Sequence, residues 1–215
     1  MMTNEQYLQQ VSKYINEIEI CIKQTITVAK NVIGKNIILP DLYFYGLLDR
    51  NMHLARGFIS VLKERNLTCV GALLRLQLDN CMRLYAIHIA ENQQEVINYV
   101  LEGKSIRNLK DKNGKKMVDA YLKKQLNQYD NQFSKIYDET SGFIHFSGKA
   151  VYQSIIDMED NKISVQIGRE LPEKFNTTLI ECSAAYLNYY RLFLSFMESA
   201  ADWKKNFDEN YNGNN

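Results

Sequence analysis

The sequence predicts a mainly α fold, a bundle of about six or seven helices with one appended β-hairpin near residues 151–167. Apolar residues recur at helical spacing along most of the 215 residues, and only 2 Pro and 10 Gly interrupt them. With 46% hydrophobic and 24% charged residues, the chain has the composition of a folded domain, which excludes the disordered and fibrous classes. We expect one helical domain over residues 1–207, with the hairpin inserted at 149–170, and a disordered tail over 208–215.

The first two predicted helices are long. Thr3 and Gln6 have the spacing of a capping box, and apolar residues then recur at alternating steps of three and four until Gly34. So regular a seam is typical of a helix that packs on an equally long neighbour, either within the bundle or across a homodimer interface. The second predicted helix runs from Asp41 to about Arg65.

The third predicted helix is apolar on nearly every side. Thr68 is its expected N-cap, and it extends to about Glu91. Because a helix that is apolar all round must be buried, we expect it to lie at the centre of the bundle. Its apolar residues are Val70, Leu73, Leu74, Leu76, Leu78, Met82, Leu84, Tyr85, Ile87 and Ile89.

The second half of the chain alternates short helices with irregular segments. A helix is expected near 95–102, and residues 104–116 carry six Lys or Arg around an Asp-Lys-Asn-Gly turn pattern. We interpret 104–116 as an exposed basic loop, either simply solvated or used as a partner contact. Helical spacing returns over 117–126 and 131–144.

The period changes after residue 148. Residues 151–158 and 162–167 are rich in β-branched side chains, and the second run alternates apolar with polar residues. With a Glu-Asp-Asn turn between them, these runs predict the β-hairpin. Thr178 and Glu181 then form a second capping-box pattern, which predicts the start of a long, aromatic-rich final helix.

Charge and cysteine usage limit the compartment and the partners. The 26 Lys and Arg nearly balance the 25 Asp and Glu, so no global field attracts the chain to nucleic acid or to an anionic membrane. The first twenty residues are too polar for a signal peptide, and no apolar stretch reaches membrane-span length, so no membrane partner is expected. The four cysteines form no CxxC pair, which favours a cytoplasmic location. We expect no metal site and no cofactor, because the three histidines lack ligand spacing and no phosphate-binding glycine loop is present.

A charged stripe interrupts the third helix. Arg75, Asp79 and Arg83 are four residues apart, so they lie on one face of the helix. In one interpretation they form a self-paired ladder that reaches a few other carboxylates. In the other, one aspartate cannot neutralise two arginines, and the surplus guanidinium binds a phosphate or a carboxylate.

A second polar segment, residues 141–148, lies where a helix ends before the hairpin. His145 is flanked there by Ser and Gly residues, so its side chain can either cap the free carbonyl groups at the end of the helix or point into a cleft. In a cleft it would form part of a ligand-binding or acid–base site with Tyr137 and Ser141, provided that the arginines lie nearby.

The sequence has two family resemblances. Arg83 and His88 have an R-x4-H spacing that resembles the motif of the HEPN superfamily, small all-helical proteins that include metal-independent ribonucleases and nucleotide-binding modules of bacterial defence systems. This resemblance implies that His88 transfers a proton at an RNA 2'-hydroxyl and that Arg83 contacts the phosphate. Residues 66–148 also resemble a group of bacterial helical proteins of unknown function, which pair an L-R-x-x-x-[ED]-x-x-x-R helix with a Y-x-x-x-S-x-x-x-H segment. The second resemblance implies that the two polar segments belong together.

Two functions are therefore predicted for a bacterial cytoplasmic protein. The first is a binding or interaction module that holds an anionic group. The second is a HEPN-like ribonuclease or nucleotide-binding protein with Arg83, His88 or His145 as catalytic candidates. The expected ligand-binding residues are Arg75, Asp79, Arg83, Tyr137, Ser141 and His145.

Overall fold

A computed structural model describes residues 2–33, 37, 39–145, 147–159, 162–165, 167–168 and 170–212. This part of the chain is a bundle of eight α-helices with one two-stranded antiparallel hairpin, which confirms the predicted mainly α class. The elements are α1 (Asn4–Ile33), α2 (Leu39–Lys63), α3 (Leu67–Ile89), α4 (Gln93–Leu101), α5 (Asp119–Leu126), α6 (Phe133–Ile144), α7 (Gly148–Ser154), β1 (Ile155–Glu159), β2 (Lys162–Val165) and α8 (Asn176–Asn212). Short 3₁₀ turns occupy Ile106–Asn108 and Glu173–Phe175.

Helices α1 and α8 lie side by side as the two longest elements. The predicted capping box begins α1, since the Thr3 amide donates to the Gln6 side chain at 3.0 Å and the Gln6 amide donates to the Thr3 hydroxyl at 3.2 Å. The regular seam of α1 therefore meets its long neighbour within the same chain. Its buried residues include Tyr7, Val11, Ile15, Ile18, Cys21, Val28 and Val32.

Helix α3 lies at the centre of the bundle, where it packs on α2, α5, α6 and α8. Its N-cap is Asn66 and not Thr68, because the Asn66 side chain accepts a hydrogen bond from the Cys69 amide at 3.1 Å. The helix consequently begins at Leu67, whose side chain is buried in the core.

The end of α6 approaches α3 unusually closely. Gly71 of α3 is buried under the ring of Phe143, and a Cβ at this position would lie 2.3 Å from the ring. Only a glycine permits the two helices to pack at this separation. The contact brings α6, the helix that carries Tyr137, directly against α3.

The hairpin forms in the predicted region but is shorter than expected. Residues 148–154 form helix α7, so the prediction of a strand from residue 151 is wrong for 151–154. The segment Gly-Lys-Ala-Val-Tyr-Gln-Ser contains only one β-branched residue, which explains why it does not extend the strand. The strands pair from Ile155 with Val165 to Glu159 with Lys162, with an irregularity between Ile155 and Asp157. Residues 160–161 and 166 of the predicted hairpin lie outside the described residues.

The final helix differs from its prediction at both ends. It begins at Asn176 directly after a 3₁₀ turn, so the Thr178–Glu181 pattern lies inside the helix and does not cap it. It extends to Asn212, beyond the predicted domain limit at residue 207, so residues 208–212 are helical rather than a disordered tail. The rest of that predicted tail, 213–215, lies outside the described residues.

A buried ion pair joins the last helix to the start of the second. Lys204 Nζ lies 2.9 Å from Asp41 Oδ2, and each side chain is only 1% exposed.

Among the described helices, none combines the length and the hydropathy that a membrane span requires.

Candidate functional site

The charged stripe of α3 is part of a larger network. Arg83 Nη2 donates to Asp79 Oδ1 at 2.9 Å and to Asp119 Oδ1, at the first turn of α5, at 2.8 Å. On the other side of Asp79, Arg50 Nη2 from α2 lies 3.5 Å from Asp79 Oδ2. Arg50 Nη1 also donates to Asn80 Oδ1 at 3.0 Å. Arg83 is thus neutralised by two carboxylates, as the ladder interpretation requires.

Tyr137 of α6 connects this network with Arg75, the other arginine of the stripe. Its hydroxyl donates to Asp119 Oδ2 at 3.4 Å, and its ring carries the Arg75 guanidinium, whose central carbon lies 3.4 Å from the ring centroid. Lys123 Nζ lies 5.2 Å from the same centroid and pairs with Asp138. The Tyr137 ring is therefore contacted by two cations.

Arg75 differs from Arg83 in its partners. No carboxylate pairs with it among the described residues, and its buried Nε lacks a hydrogen-bond partner there. The predicted ladder is accordingly confirmed for Asp79 and Arg83 and wrong for Arg75. We define the charged cluster as Arg50, Arg75, Asp79, Arg83, Asp119, Lys123, Tyr137 and Asp138, in which four cations face three carboxylates.

Burial and charge set the protonation of the cluster. Although burial favours the neutral guanidine, Asp79 and Asp119 raise the pKa of Arg83 above its ordinary value. Burial raises the pKa of Tyr137, and the nearby Arg75 offsets part of that increase. Tyr137 therefore remains a phenol at neutral pH and can donate its hydrogen bond to Asp119.

Tyr43 of α2 supports the helix at the level of the cluster. Its hydroxyl donates to the backbone carbonyl of Arg83 at 2.9 Å. Helix α3 is regular at this position. Burial raises the pKa of Tyr43, and although Arg83 opposes this effect, the hydroxyl keeps its proton. The contact fixes the backbone from which the Arg83 side chain extends.

A cavity of about 500 Å³ opens beside Arg83 and Asp119. Its other walls come from the end of α4, the start of the basic loop and the residue before α5. Arg107 has no carboxylate partner in the described chain, whereas Lys104 Nζ lies 2.6 Å from Glu102. The cavity thus places two guanidinium groups next to apolar walls. Its remaining lining residues are Val100, Ser105, Ile106 and Val118.

His145 and Ser141 do not join the charged cluster. His145 caps α6 through its backbone, since its amide donates to the Ser141 carbonyl at 3.2 Å. The His145 side chain is exposed and contacts none of the stripe residues in the described chain. The Ser141 hydroxyl donates to the backbone carbonyl of Tyr137 at 2.8 Å and so stabilises the helix locally. The predicted grouping with the arginines holds only for Tyr137.

His88 lies near the end of α3 and is also exposed. Its ring centroid is 6.5 Å from that of Tyr85. Because α3 is regular from 67 to 89, Arg83 and His88 point about 140° apart. Within the described chain no contact joins the two side chains, and the catalytic roles implied by the R-x4-H spacing stay a prediction.

Several residues of the cluster were not predicted from the sequence. Asp119 is 36 residues from Arg83 in the chain, and Arg50 comes from a different helix than its partner Asp79. Lys123 carries no local pattern that separates it from other surface cations. Only the tertiary arrangement of α2, α3, α5 and α6 brings these side chains together.

Comparison of the chain with protein-family models, with curated proteins and with solved structures gives no match. Among the described residues, no three His, Cys, Asp or Glu side chains are grouped so that they could hold a metal ion. The assignment of a function therefore depends on the geometry of the charged cluster and its cavity.

Proposed function

We propose that the protein is a binding module that holds an anionic group, a phosphate or a carboxylate, against the guanidinium of Arg75. The observation that carries the proposal is that Arg75 stacks on Tyr137 while no carboxylate of the described chain neutralises it. A guanidinium that is stacked on an aromatic ring keeps its edge for two parallel hydrogen bonds to an oxyanion.

The surroundings of Arg75 favour anion binding. The ring of Tyr137 orients the guanidinium before a ligand arrives, so less side-chain entropy is lost on binding. Among the described residues the cluster contains one more cation than it has carboxylates. A cavity with Arg83 and Arg107 on its walls opens at Asp119, the carboxylate that also accepts a hydrogen bond from Tyr137.

The test is calorimetric titration of the protein with inorganic phosphate. We expect Arg75→Ala to weaken binding at least tenfold and Arg75→Lys to weaken it less, because a lysine keeps the charge without the bidentate geometry. Arg191→Ala is the matched control, since Arg191 is an exposed arginine that pairs with Glu17 at 2.6 Å. Equal affinities of the Arg75→Ala variant and the wild type would refute the proposal.

The HEPN-like ribonuclease is the second candidate, favoured by the exposure of both His88 and His145 to solvent. The assay is cleavage of a mixed RNA substrate in EDTA, with folding of each variant confirmed by circular dichroism. Cleavage by the wild type that is lost in folded His88→Ala or His145→Ala variants would replace the binding module by this enzyme. Absence of cleavage by the wild type would remove it.

We also propose a bacterial cytoplasmic location and a homodimer. Three of the four cysteines are buried, which suits small apolar side chains in a reducing compartment. The outer face of α1 exposes Leu8, Ile20 and Ile26, which supply apolar contacts for a second copy. Light scattering at several protein concentrations tests the dimer, and a constant monomer mass would refute it.

A further inference from the structure

The basic loop, residues 104–116, is built around its only acidic residue. Asp111 is 2% exposed, and its Oδ1 accepts hydrogen bonds from the amides of Asn113 at 3.0 Å and Lys115 at 2.7 Å. Its Oδ2 accepts from the Tyr121 hydroxyl at 2.5 Å. Although burial opposes ionisation, these hydrogen bonds lower the pKa of Asp111. The single carboxylate of the loop thus stabilises the loop's own conformation.

Backbone hydrogen bonds attach the same loop to α3. The Lys112 amide donates to the Ile89 carbonyl at 3.0 Å, and the Glu91 amide donates to the Lys110 carbonyl at 3.1 Å. At the tip, Gly114 has a φ of +75°, a conformation that favours glycine and closes the turn. The loop is therefore held in one conformation rather than being a freely solvated basic segment.

All six cations of the basic loop are exposed on this framework. Lys104 pairs with Glu102, but among the described residues no carboxylate lies within ion-pairing distance of the other five. Two of the six, Lys104 and Arg107, also line the cavity beside Arg83 and Asp119, so the cations of the loop extend to the edge of the charged cluster. The five unpaired cations are Arg107, Lys110, Lys112, Lys115 and Lys116.

The chemistry of the loop favours a nucleic-acid backbone over other polyanions. An interface with an acidic protein, or insertion into a lipid surface, needs exposed apolar anchors, but the loop buries both Ile106 and Leu109. What it exposes is lysine, arginine, asparagine and serine, which are the side chains that contact phosphate and sugar oxygens. A single phosphate would occupy only one or two of these cations.

We infer that the basic loop binds the phosphate backbone of a nucleic acid, whose strand continues from the cavity beside Arg83. This inference rests on the proposed anion-binding function, to which it adds the class of ligand. Recognition through the backbone is independent of base sequence and depends strongly on salt. The small net charge of +1 does not oppose it, because the cations are concentrated on one loop.

The test is fluorescence anisotropy with labelled single-stranded RNA, single-stranded DNA and duplex DNA of about 16 nucleotides, titrated at several salt concentrations. The decisive variant replaces four exposed lysines of the loop by alanine. We expect it to bind at least tenfold more weakly at low salt, with a salt dependence shallower by up to roughly three in log–log slope. The four substitutions are Lys110→Ala, Lys112→Ala, Lys115→Ala and Lys116→Ala.

A matched control removes the same charge elsewhere. It carries four alanines at exposed lysines of α1 and α2, and we expect it to retain the affinity and the salt slope of the wild type. Equal losses in the two quadruple variants would overturn the inference, because they would show an effect of net charge alone. The control substitutions are Lys13→Ala, Lys23→Ala, Lys30→Ala and Lys63→Ala.

The outcomes separate this inference from the proposed function. If the loop variant binds oligonucleotides like the wild type while Arg75→Ala loses inorganic phosphate, the loop inference is overturned and the anion site stands. If the loop variant loses oligonucleotides while Arg75→Ala keeps phosphate, the proposed function fails and the loop remains the binding surface. Binding to phosphatidylglycerol vesicles without binding to any oligonucleotide would also overturn the inference.

Discussion

The close approach of α3 and α6 can be tested by a substitution for which the structure predicts the sign of the change in the free energy of unfolding. Gly71 is buried in α3, and a Cβ there would lie 2.3 Å from Cδ2 and 2.4 Å from Cγ of Phe143. Since carbon atoms normally pack at about 3.5–4.0 Å, the ring must move by about 1 Å or more. The clash includes Cγ, the ring atom attached to Cβ, so a rotation of the ring about its own axis does not relieve it.

Two opposing terms decide the stability of a Gly71→Ala variant. Alanine in a helix interior is favoured over glycine by about 0.5–1 kcal/mol, mainly through the unfolded state. Overpacking of a well-packed core costs about 1–3 kcal/mol. We therefore expect a net loss of about 1–2 kcal/mol in the free energy of unfolding. At Gly46 of α2 an added Cβ meets nothing within 4 Å, so Gly46→Ala should instead stabilise the protein by about 0.5–1 kcal/mol.

The assay is urea denaturation of the two variants and the wild type. The midpoints report stability provided that the m-values, the slopes of the free energy of unfolding against urea concentration, are equal. The same substitution should move the midpoint in opposite directions at the two positions. A Gly71→Ala variant at least as stable as the wild type would refute the close helix contact. Because Phe143 and Tyr137 lie on the same helix, we also expect Gly71→Ala to loosen the stack on Arg75 and to weaken phosphate binding.

Two further predictions concern buried carboxylates. Lys204→Met removes the ammonium from buried Asp41 and should lower the free energy of unfolding by about 3–5 kcal/mol, whereas exposed Lys205→Met should change it by less than about 0.5 kcal/mol. Similar urea midpoints for the two would contradict this. Hydrogen bonds from Tyr121 and two amides lower the pKa of Asp111 against the effect of burial, so its contribution is present above the unfolded pKa of about 4 and is lost as the pH falls through the lower folded pKa. Asp111→Asn should therefore show a shallower loss of stability than the wild type below about pH 4, and identical acid slopes would exclude this role.

The sequence predicted those elements that depend on local chemistry. The capping box at Thr3 formed because its two hydrogen bonds involve only neighbours in the chain. Thr68 and Asn66 are both good N-caps, and the choice between them followed the burial of Leu67, which is a tertiary property. The strand predicted from residue 151 failed because a short run of mixed residues takes the structure that its neighbours permit.

The candidate site was predictable only along one helix. Asp79 and Arg83 pair as their spacing of four residues indicates, because both side chains extend from the same face of α3. Arg75 has the same spacing from Asp79, yet it stacks on Tyr137 instead, since α6 places an aromatic ring over it. Spacing in the sequence identified which residues are charged neighbours, and the packing of α6 selected which of them stays unpaired.

The position of the unpaired charge follows from how the cluster is balanced. Asp79 contacts Arg83 through Oδ1 and Arg50 through Oδ2, and Asp119 contacts Arg83 through Oδ1 and Tyr137 through Oδ2, so each oxygen of both carboxylates already has a partner other than Arg75. An aromatic ring attracts a guanidinium but cannot neutralise it, so the excess charge of the cluster remains at Arg75. A ligand that supplies the missing anion there would bind the folded chain but not the unfolded one, and it would therefore raise the stability of the fold. Stabilisation by phosphate and loss of that effect on removal of the Arg75 guanidinium are thus two consequences of one charge balance.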